Sequence, residues 1–446
     1  MHCNILINIA TEQKCYMYPN LYYVFKDLFG ADIPFLKIIN TFGFCVAISF
    51  LFAAWLLVRE LKRKQALGVF TYSEVEVMVG KPATPGELLL NFILGFILGF
   101  KILGVFIVSG ALNDPQTFLL SSAGSWPGGI ALGLFFAFLK WRDKNKTKLA
   151  KPEKRIIRIW PSDRVGDITI IAAIAGFAGA KIFDNLENWD EFVKAPLDNL
   201  FSPSGLTFYG GLIVATLALW YYFHKRKINF IDVADAAAPS LMLAYGLGRI
   251  GCQVAGDGDW GILNSAYVTD ISGKAAPSTP DQFQRILSVN ADFYKEQLDS
   301  LGNIHHASVK AFWGLPDWLF AYAYPHNVNG VGIPMADCTW EQKYCAQLPI
   351  PVFPTPLYEI VAALLIFAFL WGIRKKITTT ARLFAIYLTL NGIERFFIEK
   401  IRVNTTYSIY GFHPTQAEII SSCLIIVGII LYILAPKIHA AKLRAT

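Results

Sequence analysis

Nine blocks of mainly apolar residues dominate this chain: 34–58, 87–112, 126–141, 167–187, 206–223, 233–251, 356–373, 382–398 and 415–435. Crossing a bilayer core as a helix takes about 20 apolar residues; only the third block is clearly short of that. In lipid every backbone N–H and C=O must be paired within the protein, so only helices and closed barrels span, and these blocks are too long for barrel strands. The implied fold class is an all-α polytopic membrane protein with about nine transmembrane helices. Composition agrees. The chain is 54% hydrophobic and 16% charged, where a soluble domain carries about 25% charged residues.

The net charge of +7 comes from short basic segments between the blocks. These are RELKRK (59–64), KWRDKNKTKLAKPEKRIIR (140–158), HKRK (224–227), RKK (374–376) and the tail with Lys437, Lys442 and Arg444. With nine spans all five fall on one side, which the positive-inside rule makes cytoplasmic. The basic balance then sets orientation and calls for no nucleic acid. The acidic loop 184–204, with Asp184, Glu187, Asp190, Glu191 and Asp198, falls outside, as does the polar segment 262–353. The expected layout is an outer amphipathic arm (1–33), a first transmembrane helix (34–58), a helical hairpin (87–141) and further spans (165–255). An outer soluble head (262–353), the last spans (356–436) and a cytoplasmic tail (437–446) complete it. The start of the chain lacks the basic-then-apolar pattern of a cleavable signal peptide. Cys338 and Cys345 share the outer polar segment and can pair if it faces an oxidising space; no cysteines show metal-ligand spacing.

An internal echo runs through the spans. GELLLNFILGFILGFKI (86–102) aligns without a gap with GDITIIAAIAGFAGAKI (166–182), matching Gly99 with Gly179 and Lys101 with Lys181. SWPGGI (125–130) echoes TFYGGL (207–212). Both pairs read as helical hairpins in the same orientation, the first a duplicate of the second.

On this topology the intramembrane polar groups gather near the outer leaflet: Lys181, Tyr209, Arg249, Tyr358, Glu359, Arg395 and Glu399, with Arg402 just beyond. Charges in lipid are costly and mark sites or pathways. Arg395, Glu399 and Arg402, spaced i, i+4 and i+7, share one helix face. With Arg249 and Glu359 they form an anion site, guanidiniums held by carboxylates. The guanidinium fork matches phosphate, and the natural anion at that depth is a phospholipid headgroup. GLGRIG (246–251) matches a dinucleotide pattern, but that pattern needs a preceding strand, and here it ends a membrane helix. Gly246, Gly248 and Gly251 are expected to allow close helix packing and ligand approach.

These residues resemble the prolipoprotein diacylglyceryl transferase family. GRIG with Gly256-Asp257 and Trp260-Gly261 is similar to its signature G-R-I-G-N-F-I-N-G-E-x-W-G. FYGGLI (208–213) resembles H-G-G-L-I-G, PTPLYE (354–359) resembles H-P-S-Q-L-Y-E, and ERFFIEKIR (394–402) resembles R-F-x-x-E-x-x-R. AGAKIF (178–183) resembles G-G-R-I-G-Y. The family histidine is Tyr209 here, its asparagine is Cys252, and one inserted residue leaves Asp257 or Asp259 in place of its glutamate. The hairpin 87–141 is additional to the family's seven spans.

The resemblance implies transfer of the diacylglyceryl group of phosphatidylglycerol to the lipobox cysteine of preprolipoprotein signal peptides, in a bacterial inner membrane. The products are a thioether and glycerol phosphate, and neither metal nor organic cofactor is required. Arg249 and Arg395 would stabilise the departing phosphate, with Lys181 and Arg402 as helpers. Glu399 would orient Arg395, and Asp257 would orient Arg249 or the glycerol hydroxyls. Gly210, Gly211, Tyr358, Gly256 and Gly261 would line the substrate. Tyr209, Asp257 or Glu359 could take the thiol proton, or the arginines alone could favour the thiolate. Two alternatives stand beside this reading: a membrane transporter, and an inactive relative that only binds lipid.

Overall fold

The computed structural model describes residues 17–108, 111, 118–119, 121–202, 205, 207–270, 273–295, 304–336, 338–403 and 413–445. The first part of the expected arm, with Cys3 and Cys15, lies outside them. The described chain is mostly helical. A short helix, Leu21–Phe29 (α1), precedes Thr41–Ala66 (α2), Pro85–Ile107 (α3), Trp126–Lys146 (α4), Val165–Glu187 (α5), Phe208–Lys225 (α6) and Phe230–Ala255 (α7). After an irregular polar segment come Thr355–Ile373 (α8), Arg382–Glu399 (α9) and Gln416–Ala445 (α10). Among the described residues six helices, α2, α3, α5, α7, α8 and α10, are long and apolar enough to cross a membrane. The α6 and α9 helices have 18 residues each, about 27 Å of helix against a core of about 30 Å. The first long helix begins at Thr41 rather than at residue 34, because Pro34–Ile38 forms a separate 3₁₀ turn.

The fold is not purely α. Ser73–Val79 (β1) pairs antiparallel with Glu153–Ile159 (β2), Ser73 opposite Ile159 and Val79 opposite Glu153. Arg158 faces Glu74 directly and bonds it at 3.3 Å, and Lys154 reaches diagonally to Glu76 at 3.2 Å. Neither strand is expected from the sequence: β1 lies between the apolar blocks, and β2 overlaps the basic run 140–158. The ribbon brackets the α3–α4 hairpin, so the hairpin is an insertion on a stalk. Beneath it, Leu57, Leu61, Val165, Ile168, Phe223 and Val233 join α2, α5, α6 and α7 in one apolar cluster.

The two hairpins share contacts. A Cβ on Gly99 would lie 2.2 Å from the Gly128 carbonyl oxygen, and one on Gly179 would lie 2.5 Å from that of Gly210. Lys101 donates to the turn carbonyls of Ser121, Ala123 (2.8 Å) and Phe118 (3.3 Å), and Lys181 donates to that of Gly205 at 3.2 Å. The same glycine crossing and the same lysine-capped turn recur at the echoed positions.

The segment between α7 and α8 folds around its own core, including Leu263, Phe283, Tyr294, Tyr324 and Ile350. The arm joins it. Tyr23 stacks on Trp340 at 4.0 Å, and the backbone N–H of Glu341 donates to the Tyr23 hydroxyl. Cys338 and Cys345 form a disulfide in this region.

The opposite end is closed by an ionic clamp that the sequence did not reveal. The α9 helix starts at Ala381 with a left-handed φ of 73° and no capping side chain of its own. Asp235 of α7 supplies the cap instead, accepting from the backbone N–H of Ala381 and of Phe384, both at 2.8 Å. Asp232 accepts from Lys442 of α10 at 2.7 Å and from Thr380 at 3.1 Å. Asp235→Ala should uncap α9 and lower unfolding stability by about 2 kcal/mol. Thermal unfolding in detergent micelles measures this, and an unchanged midpoint would refute the clamp.

Candidate active site

The site lies at the end of the bundle nearest the polar segment. Arg249 comes from the last turns of α7, Glu359 from the first turn of α8, and Arg395 and Glu399 from the end of α9. Gly246 and Gly251 allow this convergence. A Cβ on Gly246 would press on the Cβ of Ala363 in α8 at 3.1 Å, and one on Gly251 would meet the Cβ of Cys45 in α2 at 2.9 Å. At Gly248 a Cβ would meet nothing within 4 Å. The dinucleotide-like run is therefore two packing glycines around an open position.

Glu359 is the hub, with 0% exposure. Its Oε1 lies 3.1 Å from Arg395 Nη1 and 3.8 Å from Arg402 Nη1, and its Oε2 lies 2.8 Å from Arg249 Nε. Arg395 Nη2 reaches Glu399 at 3.1 Å. Arg249 also rests over the Tyr245 ring, 5.3 Å from its centroid, a cation–π placement. Tyr209 lies within electrostatic reach of Arg395.

Several expectations need correction. Arg402 does not share a helix face with Arg395 and Glu399, because α9 ends at Glu399. It enters from the following turn, where its backbone bridges to Gly261. A Cβ on Gly261 would fall 2.6 Å from the Ile401 carbonyl oxygen, so this glycine positions Arg402. The aspartate that holds Arg249 is Asp259, not Asp257. Asp259 bonds to Arg249 through one oxygen and to Arg402 Nη2 at 2.5 Å through the other. Its backbone carbonyl accepts from Thr355 at 2.9 Å. Asp257 instead accepts from the backbone N–H of Asp259 at 3.2 Å. The inserted residue sets this register, since Gly256 turns the chain with a φ of 63° at the end of α7.

Gly210 and Gly211 are spent on the crossing of α5 and α6. Their Cβ atoms would fall 2.3 Å from Phe183 Cβ and 2.8 Å from the Gly176 carbonyl oxygen respectively. Lys181 is engaged within the same hairpin, 3.9 Å from Asp184. The Tyr358 hydroxyl donates to the Leu319 carbonyl at 2.5 Å, tying α8 to the polar segment.

The two aspartates have opposite proton affinities. Burial raises that of Asp259, but the Arg249 and Arg402 guanidiniums outweigh it and hold this carboxyl well below its ordinary range. Burial, then the neighbouring Asp259 charge, pushes Asp257 up. The Cys252 thiol and these two carboxylates lie within 4.8 Å of one another, and arginines already neutralise Asp259.

Three guanidiniums thus face three carboxylates, those of Glu359, Glu399 and Asp259. The cluster is close to neutral but rich in donors, since each guanidinium carries five N–H groups. Buried Nε and Nη1 of Arg402 have no hydrogen-bond partner among the described residues. Two further residues join the site unannounced. Tyr245 lies one turn before Arg249, and its hydroxyl donates to Glu394 Oε1 at 3.4 Å. The i, i+4 spacing from Arg249 was a signal for Tyr245; Glu394 stood next to Arg395 in plain view.

The fold and site define a helical membrane protein with a cluster of arginine donors at one end of its bundle. The chain belongs to the prolipoprotein diacylglyceryl transferase family, whose family model matches residues 129–434. Similar curated proteins carry the name phosphatidylglycerol–prolipoprotein diacylglyceryl transferase. One from Dehalococcoides mccartyi is 24% identical over 324 residues, 72% of this chain and 93% of that protein. One from Psychrobacter arcticus is 26% identical over 287 residues, 62% and 80% of the two chains. One from Leptospira interrogans is 29% identical over 181 residues; the match takes in 35% of this chain and only 55% of the Leptospira protein.

Glu359→Gln removes the charge on which three arginines converge. Breaking a buried ion pair in this way destabilises by about 3 kcal/mol or more. Chemical unfolding in mixed micelles should show that loss, and a wild-type midpoint would contradict the hub role.

Proposed function

We propose that this chain is a phosphatidylglycerol–prolipoprotein diacylglyceryl transferase. It moves the diacylglyceryl group of phosphatidylglycerol to the lipobox cysteine thiol of a preprolipoprotein and releases glycerol phosphate. The observation that carries this reading is the convergence of Arg249, Arg395 and Arg402 on Glu359 at one end of a membrane-long bundle. The lipid phosphate accepts from guanidinium N–H groups that the carboxylates leave unused, above all those of Arg402. As the ester C–O bond breaks, charge grows on the departing phosphate oxygen, and fixed donors at that spot lower the barrier. Glu359, Glu399 and Asp259 hold the donors in place, so little reorganisation is needed. Tyr209, beside Arg395, donates a hydrogen bond to the phosphate, and Asp257 meets the glycerol hydroxyls.

The membrane arrangement follows from the same reading. All nine long helices span a bacterial inner membrane, seven as the family core and α3–α4 as an added hairpin. The basic segments lie in the cytoplasm with the C-terminus. The N-terminus, the 262–353 head and the site face outside, where signal peptides emerge. No metal or organic cofactor enters the reaction.

The test is transfer from phosphatidylglycerol in mixed micelles to a lipobox peptide, using the purified full chain. Wild type should form the thioether peptide, which a transporter or an inactive relative would not. Arg249→Ala should abolish transfer while leaving the protein inserted; full activity would end the proposal. Tyr209→Phe should keep most of the rate, because a hydrogen bond is lost and no proton acceptor; a loss beyond about 100-fold would make Tyr209 an essential acid or base.

A further inference from the structure

The reaction must remove a proton from a thiol whose ordinary pKa is about 8.5, and the arginine-bound carboxylates are poor candidates for it. Glu359 and Asp259 are each contacted by two or more guanidiniums, and Glu399 by Arg395. An opposite charge at such distances favours the ionised form and weakens the base. Asp257 lies past the end of α7, on the polar-segment side of the arginines. Glu394 differs from all of these. It is 7% exposed, and no salt bridge reaches it among the described residues. Its Oε1 accepts from Tyr245, while its Oε2 is buried with no hydrogen-bond partner. An open carboxylate oxygen within a membrane helix is costly to keep.

Its depth fits the chemistry. Tyr245 precedes Arg249 by one turn of α7, about 5.4 Å, and Glu394 precedes Arg395 by one residue of α9, so the Tyr245–Glu394 pair lies on the bilayer side of Arg249 and just inside Arg395. The carbon under attack belongs to the glycerol that carries the acyl chains, so it lies on the tail side of a phosphate held by those arginines. A thiol approaching opposite the departing oxygen must come from that deeper side.

Resting on the transferase reading, we propose that Glu394, steadied by Tyr245, is the general base that takes the proton of the acceptor thiol. The S–H bond breaks with its proton on Glu394 Oε2. The sulfur pair forms the S–C bond, and the C–O bond breaks with its pair on phosphate oxygen. The departing glycerol phosphate then takes the proton from Glu394, which returns to its starting state.

Two lipobox peptides test this on the full chain in phosphatidylglycerol micelles, one with cysteine and one with selenocysteine, whose selenol ionises without help near neutral pH. With the cysteine peptide, Glu394→Gln should lower kcat by about 100-fold or more and leave the KM for phosphatidylglycerol unchanged. Its residual rate should climb with pH toward the thiol's ordinary value. With the selenocysteine peptide, the same variant should approach the wild-type rate. Undiminished kcat with cysteine, or equal losses with both peptides, would overturn the assignment. If Glu394→Gln does not insert, Tyr245→Phe takes its place and should show a smaller loss confined to the cysteine peptide; equal effects on both peptides again overturn it. Wild type that modifies neither peptide would refute the transferase reading itself.

Discussion

A charge with no exposure to solvent, Glu359 at the start of α8, organises this molecule. An ionised carboxylate in that position requires compensating cations, and they come from three separate places: α7, α9 and the turn after α9. Each guanidinium needs acceptors in turn, which Asp259 and Glu399 provide. The result couples α7, α8 and α9 at this end of the bundle. It also explains why the chain leaving α7 must turn back so tightly at Gly256, since Asp259 has to reach both Arg249 and Arg402.

The bundle is fastened at both ends by charge and in the middle by small residues. At the far end Asp232 and Asp235 tie α7 to the start of α9 and to α10. Between the two ionic ends, glycines and alanines bring helix axes close. Apolar attraction between helices gains little in lipid, so close packing and buried polar links must supply the specificity. A site built on such a frame keeps its donors aimed without the substrate being present.

Much of this was legible in the sequence, for physical reasons. Lipid imposes a strong length and polarity rule, so the long helices stood out, and the cost of charge in lipid made Arg249, Glu359, Arg395 and Glu399 conspicuous. What remained hidden depended on contacts between distant segments. The choice between Asp257 and Asp259 turned on the geometry of one left-handed glycine. The placement of Arg402 turned on α9 stopping at Glu399 and on a bridge to Gly261. Periodicity carries no information past a helix end. The ribbon of β1 and β2 stayed hidden because its strands pair across the whole inserted hairpin, and β2 sits in a run that reads as a basic loop. Glycines next to aromatic motifs invited a ligand-binding role, yet Gly210 and Gly211 serve a helix crossing.

The inserted hairpin shows which part of the architecture carries the arginine–carboxylate cluster. The α3–α4 pair repeats the glycine crossing of α5–α6 and repeats its turn-capping lysine. Yet Lys101 has three protons to give, and three backbone carbonyls receive them. Nothing is left over for an anion. The hairpin, moreover, is set apart on its ribbon, and the arginines with their carboxylates all belong to α7, α8, α9 and the turns beside them. A repeated helix pair therefore adds scaffold without a second arginine–carboxylate cluster among the described residues, because those charges sit where three other segments meet.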